Sequence, residues 1–272
     1  MAPLGASVLV NQMDDQPNTL YADPSIYDIL HASGTADEVD ALERTAACFC
    51  AGAPDVWLEP ACGSGRYLRQ AATRGKRVIG FDLEEHMIDY ARQRAQNAGT
   101  AGQHQLFVGD MRSFASEVTP GSVGFAFNPI NTVRHLESDD DLLAHFEQIA
   151  RALDDAGAYA VGISLTSYEY EMPSEDVWTG KRGTCEVQQV INYMPPESRG
   201  DRFEQIYSVL TVTRPSGEQQ IVSNYKLRTY NQAQWREIIE RSALRVLGVV
   251  DMDGMPDEPE EPGYAVWVLA RR

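Results

Sequence analysis

Long apolar runs are missing from this sequence: no stretch approaches the ~20 consecutive apolar residues that a membrane-spanning helix requires, so no membrane-spanning helix is expected. Basic residues are scarce. Against 40 Asp and Glu stand 23 Lys and Arg, a net charge of −17 over 272 residues. A chain that grips a polyanion normally carries a basic face, so this balance argues against nucleic acid as a partner. The field favours neutral or cationic small molecules instead. No Lys or Arg precedes Arg44, and no apolar core with a cleavage site opens the chain, so a cytoplasmic location is expected. Cysteines are few, and Cys48, Cys50, Cys62 and Cys185 form no C-x-x-C pair. That spacing offers neither a zinc cluster nor a disulfide framework, and free buried or half-buried thiols are expected. Internal repeats are absent as well. With 43% hydrophobic residues, the chain can bury one sizeable core, or one core carrying a subdomain.

The chain is organised around Asp55–Asp82, DVWLEPACGSGRYLRQAATRGKRVIGFD. Val56, Trp57 and Leu58 are a short apolar run, Ala61 to Gly65 are small, Arg66 to Thr73 can form a helix, and Val78 to Phe81 is a second apolar run ending on Asp82. The pattern reads as one βαβ unit with a tight glycine turn. Gly63 and Gly65 have no Cβ, so the backbone can pass close to a ligand at the helix N-terminus. An acid at the tip of the second strand can accept hydrogen bonds from ribose hydroxyls. A dinucleotide turn wants G-x-G-x-x-G, but counting from Gly63 the third glycine position holds Leu68.

What these residues resemble is the first motif of class I S-adenosylmethionine (SAM) dependent methyltransferases, E/D-x-G-x-G-x-G. It is met by Glu59, Cys62-Gly63 and Gly65, with Ala61 where the first glycine usually lies. The resemblance implies SAM as cofactor, with Glu59 near its methionine end and Asp82, followed by Leu83, at the ribose. After a third strand, Gln105 to Val108, comes Gly109-Asp110-Met111. There the resemblance places Asp110 beside the adenine amino group and the Met111 amide on the ring. Upstream, Tyr21-Ala-Asp-Pro-Ser-Ile-Tyr27-Asp resembles the Y-x-x-x-Y-D segment in which Tyr21 and Tyr27 close over the cofactor, where a sulfonium is drawn to ring faces and phenolic oxygens. Asp23-Pro24 suits a helix start.

A fourth strand, Val123 to Phe127, ends in Asn128-Pro129-Ile130-Asn131, loosely similar to the N/D-P-P-aromatic motif of methyltransferases acting on exocyclic amines. Ile130 and Asn131 replace the second proline and the ring. The next run, Thr132 to Leu136, matches an h-x-H-L pattern that makes His135 the titratable group nearest the methyl donor, a candidate general base titrating near neutrality. Should His135 prove structural, Glu169 or Glu171 is the next base. Ser138 is an expected N-cap. Strand five follows at Tyr159 to Leu165, then three alternating strands at Thr184 to Met194, Phe203 to Thr213 and Ile221 to Thr229. Val246 to Val250 and Tyr264 to Leu269 suit a closing antiparallel hairpin.

The expected fold is therefore α/β: a Rossmann-like seven-strand class I methyltransferase sheet with an antiparallel three-strand insertion after strand five. The expected divisions are an N-terminal arm and cofactor-covering helix (1–35), a SAM-binding core (36–166), a lid (167–229) and a C-terminal helix with the closing hairpin (230–272). The resemblance implies methyl transfer to an amine or hydroxyl of a small-molecule acceptor, with Tyr21 against the sulfonium and His135 taking a proton. Trp178 and Tyr170 are candidate walls of the acceptor pocket. The insertion's free edge and apolar face suggest a homodimer contact. A SAM-fold scaffold without catalysis and an NAD-linked oxidoreductase remain the alternatives.

Overall fold

The computed structural model describes residues 19–168, 170–198 and 200–272; the expected loose arm over 1–18 and the candidate base Glu169 lie outside them. Strands β1 (Val56–Pro60), β2 (Arg77–Asp82), β3 (His104–Val108), β4 (Val123–Asn128) and β5 (Leu153–Leu165) run parallel, and β10 (Leu244–Val250) and β11 (Gly263–Arg271) form the closing hairpin. The seven strands lie in the order β10-β11-β5-β4-β1-β2-β3, with β11 antiparallel to β5. Strand β4, VGFAFN, is buried at every position because helices cover both faces of the sheet.

The period of two sorts its side chains between two cores. Trp57, Phe125 and Phe127 face helices α2 (Thr35–Phe49), α3 (Arg66–Thr73) and α4 (Glu85–Asn97), packing on Val39, Leu68 and Ile88. Their neighbours Leu58 and Ala126 face α5 (Asp139–Ala152) and α6 (Gln232–Arg241), among Phe146, Ile149 and Trp235. Asp23 caps α1 (Pro24–His31) and Ser138 caps α5, as the sequence suggests. The strand order reverses between β1 and β4, so a crevice opens beyond their carboxyl ends.

The insertion has four strands rather than three: β6 (Ser174–Arg182), β7 (Cys185–Met194), β8 (Phe203–Arg214) and β9 (Gly217–Arg228), paired in chain order. Strand β6 escapes a pattern search because its only large apolar residues, Val177 and Trp178, are adjacent instead of alternating. Pairing with β7 along its whole length makes it a strand. The inner face of this sheet packs Val187, Leu210 and Val212 against Ile26, Ile29 and Leu30 of α1. Gly180 permits the close approach: a Cβ there would lie 2.2 Å from the Ile29 carbonyl oxygen.

Two buried ion-pair centres fasten the insertion to the core. Asp28, fully buried, accepts hydrogen bonds at Oδ1 from Ser64 (2.9 Å) and Arg69 (2.6 Å). At Oδ2 it accepts from Arg182 of β6 (2.7 Å) and Tyr90 (3.1 Å), with Arg94 at 3.7 Å. Burial alone would push this carboxyl up, but the Arg69 charge and the hydrogen bonds from Arg69, Arg182 and Ser64 outweigh it and hold its pKa low. On the other side Arg134, just before His135, pairs with Glu204 of β8 at 2.7 Å, both buried, and donates to the Arg228 carbonyl at 2.9 Å.

Candidate functional site

Beyond the carboxyl ends of β1, β2 and β4, roofed by the inner face of the insertion, lies a cavity of about 550 Å³. Its floor is the glycine turn. Ala61, Gly63 and Gly65 take left-handed φ values of 50°, 51° and 68°, a conformation that costs a non-glycine residue about 1–2 kcal/mol. The Gly63 amide donates to Asp82 Oδ2 at 2.8 Å and the Glu84 amide to Oδ1 at 3.1 Å, so the turn and the tip of β2 are braced against each other. A Cβ on Gly63 would lie 3.3 Å from the Tyr27 ring, and one on Gly65 3.1 Å from the Ala91 Cβ. These two glycines shape the turn from beneath, while Ala61 and Cys62 face the cavity.

Glu59, at the end of β1, lines the cavity while only 6% exposed, and its Oε2 has no hydrogen-bond partner among the described residues. Burial drives its pKa well above the usual carboxylate range, with the Arg66 charge opposing. A cationic ligand group brought to Oε2 would both satisfy that oxygen and favour the ionised carboxylate. Asp82 is also pushed up, by burial, against the two amides that hold it. This turn, with Glu59 and Asp82 on its rim, fits the amino and ribose groups of SAM.

The other residues singled out in the sequence are placed as follows. Leu83 (65% exposed) and Met111 line the cavity as apolar walls. Asp110 also lines it, but Arg112 grips its carboxylate through Nε (3.0 and 3.1 Å) and through NH2 at 2.5 Å, holding its pKa low. Asn128 does not reach the cavity. It is 1% exposed, donates to the Pro60 carbonyl at 2.6 Å and accepts from Tyr159 at 2.7 Å, so its amide is consumed in tying β1, β4 and β5 together. Tyr170 is 81% exposed and absent from the wall, as is Glu171. Cys48 is exposed, not buried, because it faces outward on α2.

Tyr21, Tyr27 and His135 meet in the cavity as parts of a longer aromatic chain. Ring centroids run Trp178 to His31 (5.5 Å), His31 to Tyr27 (4.5 Å), Tyr27 to Tyr21 (5.6 Å), Tyr21 to His135 (6.3 Å) and His135 to Tyr225 (5.8 Å, stacked). This chain draws on the short turn Thr19–Ala22, on α1, β6 and β9, and on the short turn Thr132–His135. That turn is aimed by Ile130 and Asn131, both at positive φ (59° and 62°). The Asn131 side chain holds it by accepting from the Ser164 amide at 2.7 Å and donating to the Ser164 hydroxyl at 2.9 Å. Burial keeps the phenols protonated, with the Tyr27 pKa raised to about 12.

His135 departs from the sequence expectation of titration near neutrality. The residue is exposed where it lines the cavity, but the packed groups around the ring desolvate it, and this, reinforced by the neighbouring Arg134 charge, lowers its pKa to about 4. It is a neutral imidazole throughout the physiological range.

The wall holds six carboxyl groups, on Glu59, Asp82, Glu84, Asp110, Glu137 and Asp141, against two guanidinium groups. Both guanidiniums are already engaged: Arg66 by Glu38, and Arg112 by Asp110 and Asp141. The residues that sequence reasoning missed are those of the roof, Gln189, Ile191, Tyr193, Tyr225 and Leu227, and His31 of α1. The roof's only signal was the inward row of an alternating strand pattern, which says that a face is covered but not by what.

A family model described as a methyltransferase domain matches residues 58–157. No curated protein sequence matches significantly. Among solved structures, DesVI from Streptomyces venezuelae aligns over 91% of this chain and 98% of its own, with a TM-score of 0.71 at 20% identity. A SAM-dependent methyltransferase from Clostridium acetobutylicum aligns over 91% and 96%, with a TM-score of 0.71 at 14% identity. CalS10 from Micromonospora echinaspora, an amino pentose methyltransferase solved with SAM bound, aligns over 89% and 90%, with a TM-score of 0.60 at 19% identity. At these identities the structural likenesses speak for the fold. The family match covers the stretch that carries the glycine turn, Asp82 and Asp110, so residues 58–157 are similar to a methyltransferase domain, and the chain around them has the fold of SAM-dependent methyltransferases.

Proposed function

We propose that the protein methylates an amine of a small polar acceptor held between the glycine turn and the insertion sheet. The observation that carries this reading is the cavity itself, acid-rich and aromatic-walled, with both of its guanidiniums already paired and with His135 as a neutral imidazole. Such a lining favours a cationic or neutral guest and disfavours an anionic one. Structural neighbours whose names specify an amino pentose and a sugar N-methyltransferase point the same way.

SAM supplies a methyl group on a sulfonium, already a good electrophile, so the chain's task is alignment, which can supply ~7–11 kcal/mol. Glu59 would receive the amino end of the cofactor, Asp82 its ribose hydroxyls, and Leu83, Asp110 and Met111 would flank the adenine. Tyr21 and Tyr27 would offer ring faces and phenolic oxygens to the positive sulfur. The acceptor's nitrogen lone pair would form the new bond to carbon as the sulfur–carbon bond breaks, with S-adenosylhomocysteine as the leaving group. The proton then shed by the methylated nitrogen passes to His135 or to water. With a pKa of about 4, His135 does not retain that proton.

The test pairs methyl glycosides of 3-amino- and 4-amino-deoxyhexoses with the parent hexosides, scoring S-adenosylhomocysteine release. Turnover of the hexosides but not of their amino counterparts removes the amine reading in favour of a hydroxyl acceptor. For an amine, kcat/KM should climb with pH up to the acceptor's own pKa and then level, because an ammonium has no lone pair. His135→Ala should leave that profile's shape unchanged between pH 5 and 9, since His135 titrates below the window. Its turnover should fall by no more than the ~10²-fold at the low end of general-base effects. A limb near pH 6.5 that vanishes in His135→Ala would contradict the lowered pKa.

A further inference from the structure

Two buried acceptor atoms without partners line this cavity among the described residues, Glu59 Oε2 on the core sheet and Gln189 Oε1 on the insertion. The first belongs to the cofactor end already described. The second has no role there. Gln189 lies mid-strand in β7, fully buried, directly opposite Trp178 of β6 and Leu210 of β8, so its side chain shares the inner face with both. Its Nε2 donates to the Ser208 hydroxyl at 2.8 Å, which fixes the amide plane and turns Oε1 away from that partner. Around it the same face presents Ile191 and Tyr193, with Trp178 stacked edge-on against His31.

A glutamine in the middle of an otherwise apolar strand face is costly to bury unless both ends are satisfied. A Met or Leu would fill the same volume without an unmet oxygen, so this position is better suited to binding than to stability.

We propose that Gln189 is the acceptor-recognising residue. Its Oε1 takes a hydrogen bond from an N–H or O–H of the acceptor at a position other than the atom methylated, while Trp178 and Ile191 cover an apolar face of the same molecule. The substrate class is a compact polar molecule with at least two donor groups on one skeleton, one reacting and one held by Gln189. The site discriminates against analogues whose second donor is removed or capped, because such a guest would leave Oε1 dry and unpaired. This deepens the proposed methyl transfer and rests on it for the identity of the reacting group, but not for the behaviour of the free protein.

Gln189→Met and Gln189→Glu decide it. In the free protein, Gln189→Met should melt at or above the wild-type temperature, since an unpaired buried oxygen is removed at nearly constant volume. A clearly lower melting temperature means that the Ser208 bond was the point of the residue, and overturns the inference without any acceptor. With whichever amino-hexoside or hexoside gives the highest wild-type turnover, Gln189→Met should raise the acceptor KM by about 10- to 100-fold. kcat should change less, and SAM affinity by calorimetry should stay as it was. Gln189→Glu keeps an oxygen at that position and should lose less. An acceptor KM unchanged in Gln189→Met overturns the proposal. Failure of every amine acceptor would remove the amine reading alone, because the melting measurement and a hexoside KM still report on Gln189.

Discussion

Asp28→Ala is expected to loosen the N-terminal helix and the insertion together. The substitution leaves the Arg69, Arg94 and Arg182 guanidiniums facing one another across an empty, fully buried position, and strands the Ser64 hydroxyl beneath the glycine turn. Removing one partner of a buried ion pair costs about 3–5 kcal/mol, because the remaining charge keeps its desolvation penalty. For a chain of this size that corresponds to a fall in melting temperature of roughly 6–20 °C. Hydrogen exchange should speed in α1 and β6 while β1 and β4 stay protected, since the hub fastens the cover to the sheet rather than the sheet to itself. A melting temperature within 2 °C of wild type would show that the arginines relax into solvent at no cost, and would remove Asp28 as the hub. The pH behaviour has a definite sign. The folded pKa of Asp28 is depressed, so its contribution is fully present above the unfolded value of ~3.9 and is lost as pH falls through the folded one.

Asp82→Ala is expected to cost SAM binding more than it costs stability. The carboxylate is the proposed acceptor for the ribose hydroxyls, and hydrogen bonds to a charged group are worth about 1.5–3 kcal/mol, or roughly 10- to 150-fold in affinity. The change also strands the amides of Gly63 and Glu84, whose bonds to Asp82 hold the turn in its left-handed path. Asp82→Asn separates the two contributions. It keeps one oxygen for the Gly63 amide but offers the ribose a neutral partner, so its loss should fall between wild type and Ala. Calorimetry with SAM reads both variants. Wild-type affinity in a folded Asp82→Ala protein would end the ribose assignment.

The stretch from Val56 to Asp110 was legible because its information is local. A run of apolar residues, small residues at the turn and an acid after each strand set backbone path and strand end within a few positions. Parallel strands then bring Glu59, Asp82 and Asp110 to one edge of the sheet by topology alone. The strand β6 was not legible, since Val177 and Trp178 break the alternation and only pairing with β7 makes the segment extended. Asn128 looked like a site residue because it ends a strand at the right place. Its amide is consumed by Pro60 and Tyr159, and no spacing rule predicts a partner on another strand.

The sequence by itself determined the fold class, the glycine turn and the acids on its rim, since these follow from residue period and from the conformational freedom of glycine. Only the tertiary structure decided what faces them: the aromatic chain from Trp178 to Tyr225, the lowered pKa of His135, the Asp28 hub and the unpaired oxygen of Gln189. Each of these joins residues far apart in the chain. Each also depends on how much water packing has removed, a quantity that the order of residues does not contain until the chain has closed on itself.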